Sequence, residues 1–148
     1  MQTVVGQGLG RILIINAHRG ENVIRTITDA VKQNNMPNAV ILSGVATFQK
    51  LNTHSVNNSN VIPEETHVTV DGAYEVTGVD GLILNYVPHI HIAAQDHGKT
   101  VIAHLENDTE FLYVGEIIIG EILGDINLER EKKETGESIY VERKRENG

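Results

Sequence analysis

Between His89 and Glu106, polar and apolar side chains alternate on both sides of a short turn segment, and this pattern constrains the fold more than any other. Successive side chains of a β-strand point to opposite faces, so the alternation predicts two strands, over residues 89–95 and 100–106. The intervening Asp96-His97-Gly98-Lys99 has the composition of a tight turn. The segment is therefore predicted to form a β-hairpin.

The register of this hairpin follows from its loop. Either a two-residue loop, His97-Gly98, or a four-residue loop over 96–99 places His91 opposite His104 and His89 opposite Glu106. One face then carries His89, His91, Ala93, Gln95, Thr100, Ile102, His104 and Glu106, and the other carries Ile90, Ile92, Ala94, Val101, Ala103 and Leu105. A three-residue loop with a bulge would shift the register by one residue and break this arrangement.

Three imidazoles on one face, from His89, His91 and His104, predict a divalent metal site. Three protein ligands leave a coordination position open, which is typical of catalytic rather than structural zinc. Zinc is the expected ion, although nickel, copper and iron also accept imidazole. Glu106 is a candidate fourth ligand, hydrogen-bond acceptor behind a ligand, or base for metal-bound water. The alternative is a polar sheet face or subunit contact that binds no metal, and no residue is assigned a catalytic role.

The rest of the chain predicts one strand–helix–strand unit followed by strands, hence an α/β fold of the α+β type. The helix is predicted over 20–35 and strands over 10–16, 39–51, 66–70, 73–77, 82–87 and 111–123, the last with a helix as alternative. His54 and His67 flank a polar loop and are expected to be solvent-exposed. Residues 1–128 are predicted to form a single domain, and residues 129–148 a charged tail, either a hairpin or partly disordered.

Composition excludes several classes of protein. The 148 residues include no cysteine, which excludes disulfides, thiolate metal sites and cysteine nucleophiles. The N-terminus lacks the basic start and apolar run of a signal peptide, and no apolar run could span a bilayer, so a cytoplasmic location without a membrane partner is expected. Before residue 129 the chain has 14 acidic and 6 basic residues, which accounts for the whole net charge of −8. Such a body repels phosphate backbones.

The chain also resembles the PPC domain (plants and prokaryotes conserved), known in plants from AT-hook nuclear proteins. The likeness runs from about Gly10 to Gly124. It is carried by Gly10-Arg11, Arg19-Gly20-Glu21, Val40-Ile41-Leu42-Ser43-Gly44, Tyr74-Glu75-Val76, Pro88-His89-Ile90-His91-Ile92 and Gly98-Lys99-Thr100-Val101-Ile102-Ala103-His104-Leu105.

This resemblance implies a mixed, largely antiparallel sheet with one main flanking helix, assembled as a homotrimer. It also implies a role in DNA binding or gene regulation. Prokaryotic members carry histidines that match His89, His91 and His104, which implies metal binding. The plant proteins contact DNA through an Arg-Gly-Arg-Pro-type segment that Arg143-Lys144-Arg145 does not match. The missing segment and the acidic body disfavour direct DNA binding.

Three functions are compatible with these observations. The first is a stand-alone trimeric regulatory module with a histidine metal site. The second is a small metal-dependent enzyme, hydrolase-like, with Glu106 as base. The third is a sensor that binds a small anion at the metal site or in a subunit cleft. Because Glu106 is the only further catalytic candidate in the sequence, the enzyme is the less favoured of these functions.

Overall fold

The computed structural model describes residues 1–143, which form one α-helix and eight β-strands. In chain order these are β1 (Gly8–Asn16), α1 (Val23–Gln33), β2 (Ala39–Val56), β3 (Glu65–Leu84), β4 (Val87–Asp96), β5 (Lys99–Leu105), β6 (Glu110–Leu123), β7 (Leu128–Lys132) and β8 (Ser138–Glu142). Neighbouring strands pair in the antiparallel sense throughout the described part of the chain. The predicted α+β fold, a largely antiparallel sheet with one main helix, is confirmed.

The main sheet has six strands in the order β1-β6-β2-β3-β4-β5. Strands β1 and β2, which flank the helix in sequence, run in the same direction because β6 lies antiparallel between them. The far end of β2 also pairs with β5, through Thr53 with Leu105 and His54 with His104. Strands β2, β3, β4 and β5 therefore close into a ring, and this closure brings the end of β2 beside the β4–β5 hairpin.

Helix α1 buries one apolar stripe against the sheet. Val23, Ile27 and Val31 recur every four residues and are fully buried, as the helical periodicity predicts. The helix begins after Asn22, whose side chain accepts a hydrogen bond from the Arg25 backbone amide at 2.9 Å. It is shorter at both ends than the predicted range of 20–35, because these residues form capping turns.

The predicted break-up of residues 66–87 into three strands is wrong, because β3 runs without interruption from Glu65 to Leu84. Its glycines lie inside the strand, where they allow irregular pairing and close backbone approach instead of turns. Pairing between β3 and β4 shifts register between Val76 and Gly78. The segment 111–123 is strand β6, so the alternative of a helix there is also wrong.

The hydrophobic core lies between α1 and the inner face of the sheet. Phe48 of β2 and Phe111 of β6 are its largest fully buried members, with ring centroids 5.5 Å apart in an edge-to-face arrangement. Ile90 and Ile92 of β4 are 1% and 2% exposed and anchor the apolar face of the β4–β5 hairpin in the same core. The opposite face of that hairpin is therefore turned away from the core.

Residues 128–142, most of the predicted charged tail, contain the β7–β8 hairpin, which forms its own two-stranded sheet. The last five residues of the predicted tail, 144–148, lie outside the described residues. No helix within residues 1–143 is long and apolar enough to cross a membrane.

Candidate metal centre

The β4–β5 hairpin has the predicted register. His91 lies opposite His104, and the ladder continues to the pair Asp96 and Lys99 around the two-residue loop His97-Gly98. Both loop residues have positive φ, 41° and 93°, as two-residue hairpin turns require. Because the loop fixes the register, His91 and His104 share one face of the hairpin.

The imidazoles of His89, His91 and His104, called here the three-histidine cluster, converge on that face. Each offers a ring nitrogen, and the three candidate ligand atoms lie within 4.8 Å of one another. The Nε2 atoms of His89 and His91 are 3.3 Å apart. Two nitrogens that bind one tetrahedral zinc ion at its usual bond length are separated by about 3.4 Å. The donor set therefore fits a zinc-sized ion.

Burial favours the neutral form of two rings of the cluster, His89 and His104. Burial lowers the pKa of His104 to about 4, and the neighbouring His54 and His89 rings add to this shift. Burial also lowers the pKa of His89, with a further contribution from the positive charge of Arg130. Metal binding needs an unprotonated ring nitrogen, so the surroundings of these two rings favour the form that binds a metal.

A fourth histidine, His54, joins the cluster from β2. It lies opposite His104 in the β2–β5 pairing, and the two ring centroids are 4.3 Å apart. The prediction that His54 is solvent-exposed is wrong, since its side chain is 18% exposed. The corresponding prediction for His67 is confirmed, because its side chain is 58% exposed.

Glu106 lies beside His54 and not opposite His89, so that part of the predicted register is wrong. Strand β5 ends at Leu105, and the Glu106 backbone amide then donates a hydrogen bond to the Asn52 carbonyl of β2. The Glu106 carboxylate lies 2.6 Å from Nδ1 of His54. Through this contact Glu106 orients a histidine that touches the cluster.

The cluster forms one wall of a cavity of about 650 Å³. The β7–β8 hairpin forms the opposite wall with Arg130 and Lys132. The Arg130 guanidinium is partly buried and donates hydrogen bonds to the carbonyls of Leu82, at 2.8 Å, and Val87, at 3.1 Å. Sequence reasoning missed Arg130 because the tail is so evenly charged that no single basic residue stands out.

Arg130 keeps unused hydrogen-bonding capacity beside the metal ligands. A guanidinium has five N–H donors, and the two carbonyls occupy two of them. Within residues 1–143 Arg130 has no carboxylate partner, and its position lowers the pKa of His89. A metal held by the cluster would offer an open coordination position and Lewis acidity in the same cavity, so both elements favour an anionic ligand.

Comparisons with known proteins place this arrangement in a family. The sequence profile of the Plants and Prokaryotes Conserved (PCC) domain matches residues 5–123. No curated protein matches this chain.

Several solved structures share the fold. A metal-containing protein of Archaeoglobus fulgidus has a TM-score of 0.80 and 18% identity, over 96% of this chain and all of that one (100%). A plant- and prokaryote-conserved (PPC) protein of Pyrococcus horikoshii has a TM-score of 0.78 and 21% identity, over 97% and 99% of the two chains. A protein of Bacteroides thetaiotaomicron described as a "putative dna binding protein" has a TM-score of 0.72 and 15% identity, over 93% and 96%.

At these identities the structural neighbours support the fold, whereas the profile match covers most of the sequence, including every member of the three-histidine cluster. The chain therefore belongs to the Plants and Prokaryotes Conserved (PCC) domain family.

Proposed function

We propose that this chain is a stand-alone PCC-domain protein that binds a divalent metal ion, zinc, through His89, His91 and His104 and acts as a regulatory homotrimer in the cytoplasm. The observation that carries the proposal is the convergence of three imidazoles beside a cavity. The Archaeoglobus protein of the same fold is described as metal-containing, which supports a metal in this chain.

Metal analysis of the protein purified without an affinity tag tests the metal site. We expect about one bound zinc in the cluster and at least a tenfold loss of zinc affinity in His104→Ala, because one of three ligands is removed. His97→Ala is the matched control, since His97 lies at the hairpin tip with a side chain that is 94% exposed. If His104→Ala and His97→Ala hold zinc equally tightly, the site does not exist.

The trimer is proposed from the family resemblance and is supported by an exposed apolar edge. Strand β1 forms one edge of the sheet, and Ile12 and Ile14 on it are 53% and 71% exposed, with Leu42 of β2 also exposed. Contiguous aliphatic side chains on an edge strand favour contact with another chain.

Sedimentation tests the trimer. Wild type should have three times the 16.3 kDa mass of one chain, and Ile14→Asp should lower this mass. Val61→Asp, at an exposed loop position, should leave this mass unchanged. A monomeric wild-type protein would overturn the proposed trimer.

The regulatory role rests on family resemblance and on two structural neighbours each described as a "putative DNA-binding protein". The charge of the body, with 14 acidic and 6 basic residues before residue 129, opposes direct contact with a phosphate backbone. We therefore expect weak duplex binding at physiological salt. A titration of duplex DNA at several salt concentrations measures this, and tight binding with a steep inverse salt dependence would assign the regulation to direct DNA contact.

A second candidate function, sensing of a small anion, is favoured by Arg130. Its free donors face the same cavity as the metal ligands, so a phosphate or carboxylate could contact both. Inorganic phosphate is the probe, with calorimetry on the zinc-loaded protein. Arg130→Lys should weaken phosphate binding about tenfold, since lysine lacks the planar fork of donors. Lys133→Gln, a nearby residue paired with Glu137, is the control. Equal affinities in the two variants would exclude this function.

A further inference from the structure

His54 has the environment of a metal ligand, although it is not one of the three cluster residues. Its Nδ1 atom lies 2.6 Å from a Glu106 carboxylate oxygen. A carboxylate accepts hydrogen bonds, so Nδ1 is the ring nitrogen that faces Glu106 and Nε2 is the ring nitrogen left to contact a cation. Metal-bound histidines almost always have such an acceptor on their other ring nitrogen, because it fixes the tautomer and the ring orientation.

Two further donors lie within reach of this ring on the neighbouring strand. His67 pairs directly with His54 across β2 and β3, and their ring centroids are 5.2 Å apart. Glu65 is two residues before His67 on the same strand and therefore projects from the same face. One ligand atom from each of His54, Glu65 and His67 lies within 4.8 Å of the others.

Glu65 has a carboxylate oxygen to spare. Its Oε1 atom lies 3.4 Å from the Lys132 ammonium. Its Oε2 atom lies 3.8 Å from Nε2 of His67. The carboxylate can therefore contact a cation through one oxygen while the other stays with Lys132.

We propose that His54, Glu65 and His67 form a second divalent-cation site, with Glu106 as the residue that positions His54. Two imidazoles and one carboxylate form a ligand set that zinc uses. This inference goes beyond the proposed function, because none of its three ligands belongs to the three-histidine cluster. The two sites adjoin through the rings of His54 and His104, whose centroids are 4.3 Å apart at a tilt of 33°, so the proposed centre is a pair of metal sites in which each ion has its own ligands.

Zinc titration of the metal-free full-length protein against a chromophoric chelator tests the second site. Wild type should bind two equivalents per chain. His67→Ala should lose the zinc equivalent of the second site and retain that of the three-histidine cluster. His91→Ala should lose the equivalent of the three-histidine cluster and retain that of the second site. His97→Ala is the matched control for an exposed histidine and should retain both. His67 is exposed, so the unfolding midpoint of metal-free His67→Ala should equal that of wild type, which separates loss of a ligand from loss of the fold.

Two further variants test the roles of Glu106 and Lys132. Glu106→Gln should weaken the equivalent that His67→Ala removes by about 10–100-fold, as loss of an orienting carboxylate does, and Glu106→Asp should restore part of it. Lys132→Gln should tighten that equivalent, because it removes a competing positive charge from Glu65.

The outcomes separate this inference from the proposed function. One equivalent in wild type that His91→Ala abolishes and His67→Ala leaves intact would overturn the second site and keep the first. A single equivalent that only His67→Ala abolishes would keep the second site and overturn the first. Two equivalents that both survive in His67→Ala would also overturn the inference.

Discussion

Gly81 controls the spacing between β3 and β4, the strand that carries His89 and His91, and its replacement gives a sharp test of this structure. It pairs with Ile90, between His89 and His91. A Cβ atom at position 81 would lie 2.4 Å from the His89 carbonyl oxygen and 3.2 Å from the Ile90 Cα atom. Ordinary contact begins at 3.4 Å, so Gly81→Ala must move the strands apart by about 1 Å. Both neighbours are backbone atoms, so no side-chain rotation relieves the clash.

The same substitution three residues earlier is the matched control. At Gly78 the nearest atom to an added Cβ is the Ala93 Cβ at 3.5 Å, an ordinary contact. Gly78→Ala should stabilise the fold by about 0.4–1 kcal/mol, because alanine restricts the unfolded chain. Gly81→Ala should destabilise it by about 1–3 kcal/mol, the usual cost of overpacking. With a slope of about 2 kcal/mol per molar urea, the two unfolding midpoints should differ by about 0.7–2 M.

Urea unfolding at equal protein concentration measures this difference, since assembly would otherwise shift the midpoints. Zinc titration of the same two variants should show weaker binding in Gly81→Ala only, because the displaced strand carries His89. Equal midpoints would refute the packing argument. A lower midpoint with unchanged zinc affinity would refute the link between strand spacing and the metal site.

The remaining predictions concern pH and the core. The metal-free protein should lose stability as the pH falls from about 6.5 to about 4. Folding lowers the pKa of His104 from 6.5 to about 4, so the unfolded chain takes up the proton first. His104→Gln should flatten this part of the pH–stability curve. The Arg11 guanidinium lowers the pKa of Glu121 from 4.5 to about 2, so this pair's small stabilisation should be present above pH 4.5, fade towards pH 2 and be absent in Glu121→Gln. Phe111→Ala should lower the free energy of unfolding by about 3–5 kcal/mol in a urea titration, since its ring is fully buried.

The β4–β5 hairpin could be predicted from sequence because all the information that specifies it is local. Alternation gives the faces, and the two-residue loop His97-Gly98 gives the register. The prediction failed one residue beyond β5, where Glu106 leaves the hairpin to contact β2. That contact depends on closure of the strand ring, a non-local event with no sequence pattern.

His54 was missed for a related reason. Buried residues of β2 fall at odd positions in Ala39 and Ile41, at even positions from Gly44 to Phe48, and at odd positions again from Leu51. The pairing of β2 shifts register at the same two places, with β6 between Ile41 and Ser43 and with β3 between Phe48 and Lys50. These register shifts interrupt the two-residue alternation of buried and exposed positions. The sequence of one continuous strand to Val56 therefore resembles that of a strand followed by a loop. The later positions, with Leu51 and Thr53 inward and Asn52 and His54 outward, still carry a weak strand signal that a search allowing bulges would find.

Packing the histidines together lowers the stability of the fold at acidic pH. This cost favours a bound ligand as the reason for the arrangement. Folding holds the His104 ring against His54 and His89 in a partly buried setting and lowers its pKa to about 4, so the folded chain resists protonation that a solvated histidine would accept. A sheet face that bound no ligand could carry these rings apart from one another, where each would be solvated and this loss of stability would not arise. A bound cation offsets the cost because it occupies the lone pairs that the fold has kept free of protons. The loss of proton uptake on folding and the gain in metal affinity therefore have the same cause, the close packing of these rings.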